Sequence, residues 1–330
     1  MNDDILISII VPTYNLENCL EITVNSILAQ THKNIEVIVV NDGSEDNTWD
    51  VIKSIASRDS RVVAINKDNG GVTSARLEGI KAAKGEYIGF VDGDDIVDPD
   101  IYERLLANAV EYSADISHCG YKKILPDRID YYYNTGRLVK QDKETGLKDL
   151  LAGSFVEPGL WNKLYKRTLF HSLLHDNIMD TSIKHFEDLL MNYYLFKESD
   201  SSIFEDFCPY NYVVREGSAT KRTTSLELIY DPSHVREIIL NDLEKCGYGE
   251  GTELHTIANT ALLRLYISAF TMLLRDDAKH LSEHKKVFRD KIKKNRNYIK
   301  NLNRGGKIHA RAIIYAPHLC KPIFKLLKKI

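Results

Sequence analysis

"NGGVTSARLEGIKAAKGEYIGFVDGDD", Asn69 to Asp95, passes from loop to helix to strand to turn in one short stretch. The spacing predicts a helix from Val72 to Lys84, with Gly85 as its C-terminal cap. Tyr87 to Val91 is a continuous apolar run of strand length. It ends in three carboxylates, Asp92, Asp94 and Asp95, with Gly93 between the first two. Upstream, "ILISIIV" (5–11), "IEVIVV" (35–40) and "VVAIN" (62–66) are runs of the same kind, suited to strands buried on both faces. Helical spacing separates them, over about 17–29 and 47–56. Strands and helices in this alternation make an α/β chain with a right-handed parallel sheet.

Ligands of such sheets bind beyond the carboxyl ends of the strands. The segments there are "PTYN" (12–15), "NDGSEDN" (41–47), "KDNGG" (67–71) and "DGDD" (92–95), all polar and turn-forming. Two carboxylates one residue apart can face one cavity if Gly93 lets the chain turn. A hard divalent cation, Mg²⁺ or Mn²⁺, would relieve their repulsion and would complete its shell with water and substrate phosphates. A solvated acidic turn capping the next helix explains the tetrapeptide alone equally well. A calcium loop does not, because Ile96 and Val97 stand where that loop needs a ligand and a glycine. A dinucleotide site fits poorly, since no GxGxxG follows the first strand. Asp98-Pro99 reads as an N-cap and first helical residue, opening a helix to about Tyr112.

The 330 residues are enough for two domains, and 43% hydrophobic with 28% charged residues is an ordinary globular mixture. The five cysteines lie far apart, which argues for a reducing compartment and against a zinc site or disulfide framework. The first residues lack the basic region of a signal peptide, and Arg264 interrupts the longest apolar run, so a soluble, cytoplasmic chain without a membrane span is expected.

Farther along, 114–124 reads as a fifth strand, 161–170 and 186–196 as helices, and 208–222 as a strand running into a loop. Helical patterns follow over about 226–244, 253–275 and 282–302. The expected organisation is a first domain over 1–222, made of halves 1–113 and 114–222, then a helical region over 223–330.

The ordered set "SIIVPTYNLENCLEITVNSILAQTH" (8–32), "VVNDGSEDNT" (39–48), 69–95, "WNKLY" (161–165) and "FEDLL" (186–190) resembles the family 2 glycosyltransferases. That resemblance implies a GT-A (Rossmann-like), mostly parallel sheet flanked by helices, with 1–113 as the nucleotide-binding half and 114–222 as the acceptor- and sugar-binding half, and a UDP-sugar donor. It places Pro12, Tyr14 and Asn15 beside uracil and ribose, and Asp42 on the uracil N–H. Gly70 and Gly71 would let backbone approach the donor at a helix start, where N–H groups favour anions, and Arg76 would approach the diphosphate or the carboxylate cluster. Asp92 would bind ribose or support the site, with Gly93 where relatives carry Ser or Ala. Asp94 would hold Mn²⁺ or Mg²⁺, and Asp95 has no defined role. Arg215 and Ser218 would lie on a loop closing over the diphosphate. Of the pair Glu187-Asp188, Asp188 would be the base that deprotonates the acceptor, with inversion at the anomeric carbon. Trp161 and Lys163 would shape the sugar pocket, unless the tryptophan belongs to the core.

The implied acceptor is a saccharide or lipid-linked saccharide of surface polysaccharide or glycolipid assembly. Other readings are a nucleotide-sugar-binding protein without turnover and a nucleotidyltransferase, although "VPTYNLEN" lacks the glycine- and basic-rich loop of the latter. From Lys285 to Ile330 the lysines and arginines are met by a single acid, Asp290. "KPIFKLLKKI" (321–330) spaces its apolar residues as a short basic amphipathic helix. It would rest on an anionic membrane at the inner face of the cell membrane or pack on the body; nucleic acid is not expected as a partner.

Overall fold

A computed structural model describes residues 4–175, 178–215, 225–274, 281–317 and 320. The chain divides into two compact units, Met1–Thr223 and Thr224–Ile330.

The first unit begins β1 (Ile7–Thr13), α1 (Leu20–Leu28), β2 (Ile35–Asp42), α2 (Thr48–Arg58), β3 (Val62–Lys67), α3 (Val72–Ala82) and β4 (Tyr87–Phe90). β1 pairs in parallel with β2 and with β4, and β2 with β3. β1 and β2 are buried at every position, which is why their sequences are apolar without alternation. One apolar core joins Ile9, Val11, Val37 and Val39 to Leu20 and Val24 of α1 and Ile52 of α2. α3 ends at Ala82, and Gly85 is not its cap. A side chain at Gly85 would strike the Ser8 backbone N at 2.6 Å, so the glycine serves close approach to β1.

Next come β5 (Ile96–Val97), α4 (Ile101–Glu111), β6 (Ile116–Ile124), β7 (Ile129–Tyr132), β8 (Leu138–Asp142), α5 (Lys143–Ala152), β9 (Lys163–Lys166), α6 (His171–His175), α7 (Glu187–Glu198) and β10 (Ser201–Val213). The cap of α4 is Asp100, not Asp98. The Asp98 carboxylate instead accepts from Lys122 Nζ at 2.7 Å and Asn211 Nδ2 at 2.8 Å. The segment 161–170 is not a helix either. Its centre is β9, antiparallel to both β4 and β6, followed by a 3-10 turn over 167–170. A strand between two others is held by their backbone groups, and that pairing outweighs a local helical pattern. β9 thus joins the parallel nucleus to β6, and the sheet runs β3-β2-β1-β4-β9-β6-β10-β5, with β7 on β6 and β8 on β10. Because β9 is antiparallel to both neighbours, β4 and β6 point the same way, as does β10, which is parallel to β6.

Inside this half His118 is buried, with Nε2 at 2.9 Å from Gln141 Oε1. Burial first, and the Lys163 charge second, push its pKa from 6.5 down to about 3. A depressed folded value means stability that is present above pH 6.5 and lost as pH falls toward 3, because only the unfolded chain accepts the proton there. His118→Phe is therefore expected to remove about 1.4 kcal/mol per pH unit of acid sensitivity between pH 6 and 4. Urea unfolding at both pH values measures this, and equal acid slopes in parent and variant would refute it.

The second unit holds α8 (Leu226–Lys245), α9 (Glu253–Leu273), α10 (Ser282–Lys294) and α11 (Arg304–Tyr315), with a 3-10 turn over 296–301. Leu263, Phe270, Phe288, Ile292 and Ile313 form its core. Despite Arg264, α9 is long and apolar enough by length and composition to cross a bilayer, but 67% of that stretch is buried inside the fold. The basic segment 321–330 lies outside the described residues.

Candidate active site

The turns after β1 and β2 are laced together by side chains. Pro12 is buried at the end of β1, and Thr13 Oγ1 donates to Val40 O at 3.0 Å. Asn15 sits in left-handed backbone, φ 55°, where asparagine is better tolerated than most residues. Its N–H donates to Ser44 Oγ at 3.0 Å, and its Oδ1 accepts from the Glu45 N–H at 2.9 Å. The Tyr14 ring beside it is 41% exposed and open to stacking.

Asp42 is buried and already holds an intramolecular post. Its carboxylate accepts from Lys67 Nζ at 2.6 Å and from the N–H groups of Gly70 and Gly71 at 3.0 and 2.8 Å. An anion is indeed held at the start of α3, and it is this side chain. Gly71 makes the arrangement possible, since its φ of 84° is open to glycine without steric cost. A carboxylate has about four lone-pair sites, so one remains for an outside donor. Lys67 had no role in the sequence reading, although "KDNGG" places it beside the two glycines.

The three carboxylates after β4 have three different environments. Asp95 is innermost: Oδ2 accepts from the Tyr210 hydroxyl at 2.7 Å and Oδ1 from the Val213 N–H at 2.8 Å. Burial, then the charge of Asp92, push its pKa up to about 8, against the pull of those two donors. It ties β10 to the turn. The Asp92 carboxylate faces Arg76, and burial, only partly offset by Arg76, raises it to about 6. Asp94 makes no side-chain hydrogen bond or ion pair among the described residues; its carbonyl accepts from Arg215 Nη2 at 2.6 Å. Gly93 does not have the positive φ that would demand glycine. A Cβ there would meet Leu16 Cδ1 at 2.7 Å and Pro12 O at 3.1 Å, so this glycine serves packing against the β1 turn rather than flexibility. Ser218 lies outside the described residues.

Arg76, on the buried face of α3, reaches the carboxylate cluster. Its Nη2 pairs with Asp92 at 3.3 Å, and its Nη1 pairs with Glu187 at 3.3 Å and with Asp188. Burial alone would lower the guanidinium pKa, but Asp188, Asp92 and Glu187 together hold it raised. Glu187 and Asp188 open α7, where the helix dipole favours negative charge. Burial first, then the neighbouring Asp188, push the Glu187 carboxyl up to about 8, against the pull of Arg76. Phe186, just before them, takes a left-handed φ of 69°, a strained value for an aromatic residue, and it aims the first turn of α7.

Lys163 is wholly buried and does not line a sugar pocket. Its Nζ donates to Glu157 O, Gly159 O and Asn162 Oδ1 at 2.8, 2.6 and 2.7 Å, holding the 157–162 loop against β9. Trp161 is half-buried and stacks on Tyr210 with ring centroids 4.4 Å apart. Nothing local in "CPYNYVV" marks Tyr210 as a site residue, because its partners lie more than a hundred residues upstream.

Among the described residues no three His, Cys, Asp or Glu side chains are arranged to hold a metal. With Asp92 on Arg76 and Asp95 on Tyr210 and Val213, Asp94 is the carboxylate left available. One carboxylate fits Mg²⁺ or Mn²⁺ that takes its other ligands from water and substrate phosphates.

A family model described as "Glycosyl transferase family 2" matches residues 8–176. The chain is 38% identical over 220 residues to the uncharacterized glycosyltransferase EpsJ of Bacillus subtilis, covering 66% of this chain and 63% of that protein. It is 34% identical to glycosyltransferase GlyA of Streptococcus pneumoniae, covering 65% of this chain and 31% of that protein. It thus spans less than two thirds of the length of either relative. A crystal structure of S. aureus TarS 1-349 in complex with UDP-GlcNAc superposes with a TM-score of 0.72 at 18% identity, covering 98% of this chain and 91% of that one. That likeness establishes a shared fold.

Proposed function

The chain belongs to glycosyl transferase family 2, and on that premise we propose that it transfers a sugar from a UDP-sugar to a saccharide or lipid-linked saccharide acceptor, with inversion. One observation carries the reading. Buried Arg76 draws Asp92, from the turn after β4, and Glu187 and Asp188, from the start of α7, into one partly buried ion-pair cluster. The UDP-GlcNAc and UDP bound in the TarS crystals support a UDP-sugar as donor.

In this mechanism Tyr14 and the Asn15–Ser44 turn frame the base, and the free lone pair of Asp42 meets the uracil N–H. Asp188, oriented by Arg76 and the first turn of α7, takes the proton of the acceptor hydroxyl as that oxygen attacks the anomeric carbon. Arg215, whose Nη2 donates to the Asp94 carbonyl, would stabilise charge on the leaving diphosphate. Mn²⁺ or Mg²⁺ bound at Asp94 would neutralise charge that builds on the β-phosphate. Surface polysaccharide or glycolipid assembly is the setting proposed, in the cytoplasm, with the basic segment 321–330 resting on the inner face of the membrane.

A panel of UDP-sugars with Mn²⁺ or Mg²⁺, followed by UDP release, tests the proposal. Release from at least one donor, abolished by EDTA, is the expected result. No release from any donor, together with no UDP binding, overturns it.

A further inference from the structure

The second unit has a cavity of its own, among α8, α9, α10 and the 3-10 turn after α10. Its volume is about 790 Å³, inside the roughly 300–1,000 Å³ range of small-molecule sites. The family match ends at residue 176, so the cavity lies outside the matched segment.

The wall is fixed by ties between helices. Glu237 Oε1, on α8, accepts from the Tyr266 hydroxyl of α9 at 2.7 Å and from Lys291 Nζ of α10 at 2.5 Å. His255, buried in the first turn of α9, has Nε2 3.2 Å from Glu244 Oε1 and Nδ1 3.4 Å from the Tyr298 hydroxyl. Asn259, one turn along α9 and 4% exposed, donates from Nδ2 to the His255 carbonyl at 3.0 Å. Groups held in this way are ordered before a ligand arrives, which lowers the entropy cost of binding.

Two acceptors on this wall have no donor. Both ties to Glu237 fall on Oε1, and Oε2 has no partner among the described residues. Asn259 is engaged through Nδ2, and its Oδ1 has no partner among the described residues either. A nearly buried oxygen without a donor is costly, so whatever fills the cavity has to bring hydrogens to it. Charge then selects what enters. Glu237, Glu244 and Glu250 oppose an anion, and Lys291 and Lys294 oppose a cation. Leu240 and Leu262 add apolar surface beside these polar groups. The matching ligand is uncharged, carries several hydroxyl donors at fixed spacing, and has C–H groups between them. A saccharide has that pattern.

We propose that the second unit binds a neutral saccharide in this cavity, with Glu237 Oε2 and Asn259 Oδ1 accepting from its hydroxyls. No residue assigned to donor binding or transfer takes part, so the proposal stands apart from the transfer reading.

Saturation-transfer NMR and calorimetry on the full chain, at saturating UDP, test it with glucose, galactose, N-acetylglucosamine, rhamnose and maltose. Spermidine and inorganic phosphate are the charged probes. At least one sugar is expected to bind, and to bind more tightly than either charged probe. Asn259→Leu removes the unpartnered oxygen at nearly constant volume. Asn241→Trp, at an exposed position lining the cavity, fills it without removing a tie. Each should weaken that sugar about tenfold or more and leave UDP affinity unchanged. If urea unfolding shows that Asn259→Leu does not fold, Asn241→Trp decides alone. Binding of none of the sugars, tighter binding of spermidine or phosphate, or full sugar affinity in a folded variant overturns the proposal. UDP affinity is scored in parallel, so loss of the sugar response alone leaves the transfer reading standing.

Discussion

Asp188→Asn should lower the rate of sugar transfer about 10²- to 10⁴-fold, the range that a general base contributes, and leave UDP affinity within about twofold. The amide keeps the shape of the side chain and still offers an oxygen to Arg76, so the first turn of α7 stays in place. What it loses is the capacity to take a proton from the acceptor hydroxyl. The measurement is kcat for transfer beside UDP affinity by calorimetry. Normal transfer by Asp188→Asn would remove Asp188 from the role of base. Loss of UDP binding in the same variant would make it a structural residue of the donor site.

Arg76→Ala should have the largest effect on stability. It leaves three carboxylates, Asp92, Glu187 and Asp188, around a side-chain position that is 4% exposed. Breaking a fully buried ion pair from one side costs about 3–5 kcal/mol, and this cluster, whose carboxylates are partly exposed, should fall at or below the low end of that range, about 3 kcal/mol. The sign with pH follows from the raised folded values, about 6 for Asp92 and about 8 for Glu187. Groups raised in this way contribute stability that is full below their unfolded values near 4 and lost as pH rises through the folded ones. Without the guanidinium they are raised further, so the deficit of Arg76→Ala should be small at pH 5 and largest at pH 8. Urea unfolding at the two pH values measures it, and equal stability at pH 8 would refute the clamp. Arg76→Lys should restore only part of the loss. A single ammonium cannot reach both the Asp92 side and the Glu187–Asp188 side, which the arginine contacts with separate nitrogens.

The parallel half of the fold was legible because its strands are buried on both faces and its helices carry one apolar stripe. Tyr87–Phe90, Ile35–Asp42 and Val72–Ala82 each announce themselves within a few residues. β9 did not. Lys163–Lys166 becomes a strand because β4 and β6 lie on either side of it, and neither is visible from within "WNKLY". β5, β7 and β8 were also silent; they are short, and β7 and β8 are largely exposed, so no apolar run marks them. In the candidate site the residue types were readable and their pairings were not. Lys163 has the look of a functional cation, yet its ammonium is consumed by a loop six residues long.

By itself the sequence determined the α/β alternation, the four polar turns at the strand ends and the presence of carboxylates there, because each follows from local periodicity and chain geometry. Tertiary structure alone decided which carboxylate does what. Burial and hydrogen bonding depend on partners far along the chain, Tyr210 and Val213 for Asp95 and Arg76 for Asp188, or on the next element back, Arg76 for Asp92. Desolvation and charge pairing act through space, so three neighbouring aspartates that look alike in sequence become a tie to β10, a partner of Arg76, and, among the described residues, a carboxylate left available at Asp94.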